Sequence, residues 1–99
     1  MGKIYAVYIL ASRKYGALYV GMTGDLITRT HIHREDVMDG HSKRYHIHNL
    51  VHFEFFGDPT RAIEREKQIK KWRRDWKIEL IERDNPDWRD LYPELTGSG

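Results

Sequence analysis

The sequence predicts an α/β fold in which a small three-stranded antiparallel sheet is flanked by helices within a single domain. Two runs rich in β-branched and aromatic residues, at 4–11 and 17–21, are separated by turn residues and indicate a hairpin. A third run at 49–56 indicates another strand, and helical patterns follow the second and third runs. A length of 99 residues suits one domain with one modest core.

The predicted hairpin carries Tyr8 on its first strand and Tyr19 on its second. Facing residue numbers in an antiparallel pair have a constant sum, and an odd sum places both tyrosines on one face of the sheet. We expect a sum of 27, with Tyr8 directly opposite Tyr19. Cross-strand aromatic pairs stabilise sheets by roughly 0.2–1 kcal/mol in any case, so this pair alone needs no catalytic explanation.

The composition restricts the class of protein. The sequence has 17 Lys and Arg against 15 Asp and Glu, and this net charge of +2 argues only weakly for an anionic partner. The absence of cysteine excludes a disulfide framework or a thiolate metal site and indicates a cytoplasmic location. No apolar run approaches the length of a membrane span and no signal-peptide pattern is present, so no membrane association is expected.

A helix is predicted over residues 26–38, capped by Thr23 or Asp25. Arg29 and His33 are four residues apart and therefore project from the same side of this helix. Such a pair can hold a phosphate between a permanent cation and a titratable imidazole. Without further context, an ordinary helix surface is the favoured interpretation of these two residues.

Six histidines raise the question of a metal site. Two pairs, His31 with His33 and His46 with His48, have a spacing of two residues. No second cluster of Cys, Asp or His at the spacing of a structural zinc site accompanies them, so surface histidines are the favoured interpretation. The third strand is predicted directly after them, at 49–56.

A long helix is predicted over residues 60–74, with Asp58 or Thr60 as its cap. Its buried stripe is predicted to consist of Ala62, Ile63, Ile69 and Trp72. Glu66 lies within this stripe, and an unpaired carboxylate there would be costly. Glu66 should therefore have a bound metal ion or a cationic partner, for which Arg29 and Lys70 are the candidates.

Basic and aromatic residues are concentrated after Glu66. The basic group consists of Lys70, Lys71, Arg73 and Arg74, bracketed by Trp72 and Trp76. Interleaved cations and aromatic rings suit phosphate contacts and base stacking. The acidic residues of the same segment support a solvated helix face equally well.

The last part of the predicted domain contains one more element. A short helix, or alternatively a strand, is predicted over residues 76–82 and ends at Asn85-Pro86. Three apolar residues are then expected to fold back onto the core: Trp88, Leu91 and Tyr92. The domain is expected to span 4–92, and the tail at 93–99 looks in part like residues added for expression.

Taken in order, these residues resemble the GIY-YIG nuclease family. The first motif of the family resembles AVYIL at 6–10, and the second resembles YVG at 19–21. The family arginine matches Arg29, and its metal-binding glutamate matches Glu66. The resemblance extends over about 4–92 and is greatest to small single-domain members similar to the nuclease domain of the excision-repair incision subunit.

The late helices share a segment like KQIKKW at 67–72, followed by Asn85-Pro86, with these small members. Three positions depart from the family motifs. Ala6 replaces a glycine, and Val7 and Val20 stand where isoleucine is usual. None of the three supplies a catalytic group, so the departures leave the chemistry unchanged.

The resemblance implies an endonuclease that hydrolyses DNA phosphodiester bonds, with structure-selective cutting in DNA repair or processing as the expected setting. Glu66 would hold one divalent cation, Mg²⁺ or Mn²⁺, and no small-molecule cofactor is expected. Arg29 would grip the scissile phosphate. Tyr8 or Tyr19 would activate or orient the attacking water, with His33 as a supporting base or proton relay.

The expected partner is DNA, branched or single-stranded, contacted by the basic group Lys70, Lys71, Arg73 and Arg74. Two other classes of protein compete with the nuclease interpretation. One is a nucleic-acid-binding module that keeps the scaffold without turnover. The other is a protein-interaction domain, which would expose an apolar patch around Trp72, Trp76 and Trp88.

Overall fold

The computed structural model describes residues 3–34 and 47–97. Its strands and helices in these ranges are β1 (Tyr5–Ala11), β2 (Leu18–Thr23), α1 (Leu26–Arg34), β3 (Asn49–Phe56), α2 (Pro59–Lys71), α3 (Arg74–Asp84) and α4 (Tyr92–Thr96). The predicted fold class, a three-stranded antiparallel sheet flanked by helices, is confirmed. The predicted end of α1 near Met38 and the loop that contains His46 lie outside the described residues.

The sheet has the strand order β2-β1-β3, and both pairings are antiparallel. β1 is therefore the central strand, and its residues from Ala6 to Ala11 are all buried. The register of β1 with β3 shifts by one residue between Ile9 and Leu10, which face His52 and Leu50. This irregularity places a β-bulge in β3 near Val51.

Side chains alternate along β1 and give the sheet two covered faces. Ala6, Tyr8 and Leu10 define what we call the tyrosine face, where they pack with Leu26 of α1 and with Leu50. Val7, Ile9 and Ala11 define the opposite face. There they pack with residues of α2, α3 and the segment that follows: Ala62, Ile69, Leu80, Ile81 and Trp88.

Helices α1 and α2 begin at side-chain caps that the sequence predicts. The Asp25 carboxylate accepts a hydrogen bond from Thr28 N, in the first turn of α1, at 3.2 Å. The Asp58 carboxylate accepts from Thr60 N at 2.9 Å, and Pro59 occupies the first helical position of α2.

The prediction for the region after β3 needs three corrections. α2 ends at Lys71 rather than near Arg74, because the backbone is extended at the next two residues. The helix predicted at 76–82 is present but longer, as α3 at Arg74–Asp84, and the alternative of a strand is wrong. Ile63 was predicted to be buried but is 38% exposed, because Ala62 and Ile69, seven residues apart, define a narrower buried stripe.

Asn85 connects the end of α3 to the sheet. Its buried side-chain amide donates to Val51 O at 3.1 Å and to Arg89 O at 2.9 Å. Trp88 then packs into the core of the opposite face, and Leu91 packs against the tyrosine face, as predicted. None of the helices within 3–34 and 47–97 has the length and apolar character needed to cross a membrane.

Candidate active site

Tyr8 and Tyr19 project from the same face of the sheet, but their register differs from the prediction. Tyr8 faces Gly21 and Tyr19 faces Leu10, so the facing numbers sum to 29. The predicted sum of 27 is wrong. The observed sum is still odd, and the two tyrosines are diagonal neighbours with ring centroids 6.3 Å apart and ring planes tilted by 32°.

The register follows from the position of the hairpin loop. Ser12 N donates to Ala17 O at 3.0 Å, which leaves the four residues 13–16 as the loop. A four-residue loop at 12–15 would instead give a sum of 27. Within the loop, Tyr15 has a φ of 61°, in the left-handed region that residues with a Cβ rarely adopt.

Gly21 leaves room for the Tyr8 side chain. A Cβ at position 21 would lie 2.6 Å from the Tyr8 Oη and 2.7 Å from its Cζ, closer than non-bonded atoms approach. It would also lie 3.1 Å from Cε1 of Tyr19. The Tyr8 ring therefore extends across the edge strand β2, and the glycine of the second motif is required by this close approach.

Charged side chains from two helices both affect the pKa of the Tyr8 hydroxyl. Burial raises the pKa of Tyr8 well above its usual value, and Tyr19 raises it further, in part through a hydrogen bond between the two side chains. The Arg29 guanidinium lowers this pKa, and the Glu66 carboxylate raises it. Both charged groups therefore lie within electrostatic reach of the same buried phenol.

Arg29 reaches this site from α1, which begins directly after β2. The buried Thr30, whose hydroxyl donates to Leu26 O at 2.7 Å, packs the first turns of α1 against the sheet. His33 also lies in α1, but its side chain is outside the described part of the structure. Its role as a base stays a prediction.

Glu66 reaches the site from α2. The neighbouring positions Ala62 and Ile69 are fully buried, whereas the Glu66 side chain is 20% exposed. Its Oε2 forms an ion pair with Lys70 Nζ at 3.2 Å. The carboxylate therefore lies at the rim of the buried stripe, accessible to solvent and within electrostatic reach of the Tyr8 phenol.

This carboxylate fits a hard divalent cation. In the described part of the chain, no three His, Asp or Glu side chains form a metal-binding cluster. Mg²⁺ needs only one or two carboxylates because it retains several waters. Glu66, a single carboxylate partly open to solvent, is compatible with such a cation and not with a structural zinc site.

The four basic residues predicted to bind nucleic acid have different surroundings. Lys70 is paired with Glu66, whereas Lys71 is exposed at the last position of α2. Arg73 pairs with Asp75 at 3.4 Å and its guanidinium lies over the Trp76 ring, 5.1 Å from the centroid. Only Arg74 is turned back toward the hairpin.

The hairpin loop is held by α3, which the sequence analysis did not anticipate. Arg74 Nη2 donates to Tyr15 O at 2.7 Å and to Gly16 O at 2.5 Å. The Tyr15 hydroxyl and the Trp88 Nε1 both donate to Glu82 Oε2, at 3.0 and 2.7 Å. Apart from the contact between Trp88 and Glu82, each of these contacts joins residues far apart in the chain. No local sequence signal therefore identifies them.

The three tryptophans do not form one exposed patch. Trp88 is buried in the core, with 5% of its surface exposed. Trp72 and Trp76 pack edge to face with centroids 6.1 Å apart, and Trp76 is 46% exposed. An apolar patch that includes all three, as the protein-interaction interpretation requires, is therefore not present.

A second charged cluster lies away from the tyrosines. Glu54 Oε1 accepts from Arg65 Nε at 2.8 Å, and Glu54 Oε2 lies 2.8 Å from His52 Nε2. Burial raises the pKa of Glu54, but the hydrogen bonds and charges of His52 and Arg65 outweigh it and lower the pKa to about 2. This cluster joins β3 to α2.

Comparisons with known proteins agree with this fold. The family model described as the GIY-YIG catalytic domain matches residues 4–79. A solution NMR structure of the UPF0213 protein BH0048 from Bacillus halodurans has a similar fold, with a TM-score of 0.56, 23% identity, and coverage of 91% of this chain and 95% of that chain. No curated protein matches significantly. With the family model spanning most of the chain and the fold in agreement, the chain belongs to the GIY-YIG family of nucleases.

Proposed function

We propose that this protein is an endonuclease that hydrolyses DNA phosphodiester bonds with one divalent cation, Mg²⁺ or Mn²⁺. The observation that carries the proposal is the joint action of Arg29 and Glu66 on the hydroxyl of Tyr8, beside Tyr19. A permanent cation and a carboxylate that act on the same phenol suit phosphate hydrolysis, because one can bind the phosphate and the other a metal ion.

Each residue has a separate task in this proposal. Arg29 would bind the scissile phosphate and stabilise the negative charge that develops on its oxygens. Glu66 would hold the divalent cation, which when bound stabilises charge on the leaving oxygen. Lys70, whose Nζ lies 3.2 Å from Glu66 Oε2, would orient the carboxylate before the cation binds.

The two tyrosines would not be equivalent. Because burial raises the pKa of Tyr8, this phenol keeps its proton at neutral pH and would orient the attacking water. Tyr19 is half-buried and more accessible to substrate. The base would then be Tyr19 or His33, with the bound cation lowering the cost of removing a proton from a phenol.

The test is cleavage of branched, nicked and single-stranded DNA with Mg²⁺ or Mn²⁺. The wild type is compared with Glu66→Gln and with Glu64→Gln, which changes an exposed carboxylate on the same helix. Cleavage by the wild type and by Glu64→Gln, but not by Glu66→Gln, is the expected result. DNA binding without cleavage under every condition would favour the non-catalytic module. We propose that this activity serves DNA repair or processing in the cytoplasm.

A further inference from the structure

Strand β3 adds two phenylalanines to the tyrosine face. Phe53 faces Tyr8 across the pair of strands, and Phe55 faces Ala6. Facing residues in an antiparallel pair project from the same side of the sheet. Phe53 and Phe55 are in contact, with ring centroids 5.2 Å apart and planes inclined by 55°.

The two rings differ in their exposure. Phe53 is half-buried against the core of the tyrosine face, whereas Phe55 has 54% of its surface exposed. A single exposed apolar residue is common on protein surfaces. Phe55, however, ends a row of aromatic rings that crosses all three strands, from Tyr19 through Tyr8 to Phe53.

The distances suit a nucleotide chain. The backbone positions of Phe55 and Tyr8 are diagonal in the β1–β3 pair and lie about 7–8 Å apart, while the Tyr8 hydroxyl extends away from Phe55, over Gly21 of β2. A nucleotide whose phosphate lies at Arg29 and Tyr8 can thus direct a neighbouring base toward Phe55. The intervening residue Glu54 projects from the opposite face and is neutralised by Arg65, so its carboxylate does not oppose the phosphates.

We infer that Phe55, supported by Phe53, is a stacking platform for an unpaired base next to the scissile phosphate. The inference rests on the proposed nuclease function and narrows its substrate to DNA that contains single-stranded nucleotides. Bases in the interior of a duplex already have both faces stacked, and only an unpaired or terminal base offers a face to a protein ring. The aromatic platform therefore favours single strands, branches and frayed ends.

The test measures binding without catalysis. Affinity for a short single-stranded DNA, and for an abasic strand of the same length, is determined in the Glu66→Gln background without a divalent cation. Phe55→Leu keeps an apolar side chain and removes the ring, so it should weaken binding of the base-bearing strand by about tenfold. Phe55→Trp should retain the affinity, and binding of the abasic strand should not change in either variant.

Ile63→Ala serves as the matched control, because Ile63 is an exposed apolar residue on α2 and not on the tyrosine face. Its affinity should equal that of the background. Three results would overturn the platform. Phe55→Leu could lose as much affinity for the abasic strand as for the base-bearing strand, or it could lose no affinity for the base-bearing strand. The background protein could also show no detectable binding of single strands. Sedimentation showing a dimer that Phe55→Leu dissociates would overturn it as well, since a second copy would then cover the ring.

Cleavage by the wild type is measured separately and distinguishes the two proposals. If the wild type cleaves DNA but binding does not depend on Phe55, only the platform proposal is wrong. If binding depends on both the base and Phe55 but no cleavage occurs, the platform is supported and the proposed nuclease activity is wrong.

Discussion

Glu66 and Lys70 form an ion pair of 3.2 Å across one turn of α2, with side chains that are 20% and 52% exposed. An ion pair accessible to solvent contributes less than about 1 kcal/mol to stability. The carboxylate is therefore not held at this position by a strong structural bridge. Its lysine partner can also be displaced when a divalent cation binds.

The first prediction concerns the metal. Glu66→Gln should change the free energy of unfolding by less than about 1 kcal/mol, because only an exposed pair is lost. The thermal shift that Mg²⁺ or Mn²⁺ produces in the wild type should disappear. Melting curves of both proteins with and without the cation measure this. A loss of about 3–5 kcal/mol in metal-free buffer, with no metal-dependent shift in the wild type, would instead identify a buried structural bridge.

The second prediction concerns the contact between Tyr8 and Gly21. Gly21→Ala places a Cβ 2.6 Å from the Tyr8 Oη, so the ring must move. We expect a loss of about 1–3 kcal/mol in stability, as for other overpacked sites, together with a loss of cleavage. Gly57→Ala is the matched control because no atom lies within 4 Å of its added Cβ. Equal stability and equal activity in the two variants would contradict the close approach.

The third prediction concerns acid stability. The pKa of Glu54 is about 2 in the folded state against an ordinary 4.5, so the folded protein binds this proton more weakly than the unfolded chain does. The resulting stabilisation is complete above about pH 4.5 and is lost as the pH falls toward 2. Glu54→Gln should therefore be less stable than the wild type at pH 7, and the difference should shrink through this window.

Urea unfolding of both proteins at successive pH values measures this difference. Glu79→Gln, at an exposed position of α3, is the control and should follow the wild type. A difference between Glu54→Gln and the wild type that stays constant down to about pH 2 would show that Glu54 does not titrate in this way.

The fourth prediction separates the basic residues by their contacts. Lys71→Gln should reduce the slope of log affinity against log salt by about 0.9 on duplex DNA if Lys71 contacts one phosphate, without changing stability. Arg74→Gln should lower stability by about 1 kcal/mol, because its guanidinium holds two carbonyls of the hairpin loop. Salt titrations of binding and urea unfolding test both variants. If Arg74→Gln instead changes the salt slope and leaves stability unchanged, Arg74 contacts nucleic acid and does not hold the hairpin loop.

Local signals predicted most of the fold. The strand at Asn49–Phe56 has the bounds that its β-branched and aromatic residues predict, and Asp58 caps α2 as its position before Pro59 indicates. The predicted odd sum of facing numbers also placed Tyr8 and Tyr19 on one face, although its value of 27 was wrong. These features depend on residues close together in the sequence, which is why a single sequence suffices.

The features that the sequence could not predict depend on contacts between distant residues. The register of the hairpin is set by the position of its loop at 13–16, which Arg74 and Glu82 of α3 hold in place. Likewise, the exposure of Ile63 depends on how α2 is rotated against the sheet, which helical periodicity restricts but does not determine.

The attachment of the hairpin loop to α3 has a consequence for biosynthesis. Strands β1 and β2 can pair within about 1–10 μs, since a hairpin needs only local contacts. Arg74, however, follows Gly16 by 58 residues. At about 5–20 residues per second, a ribosome adds it roughly 3–12 s later. The two tyrosines are thus translated early, yet the loop between them is fixed only after most of the chain has been made.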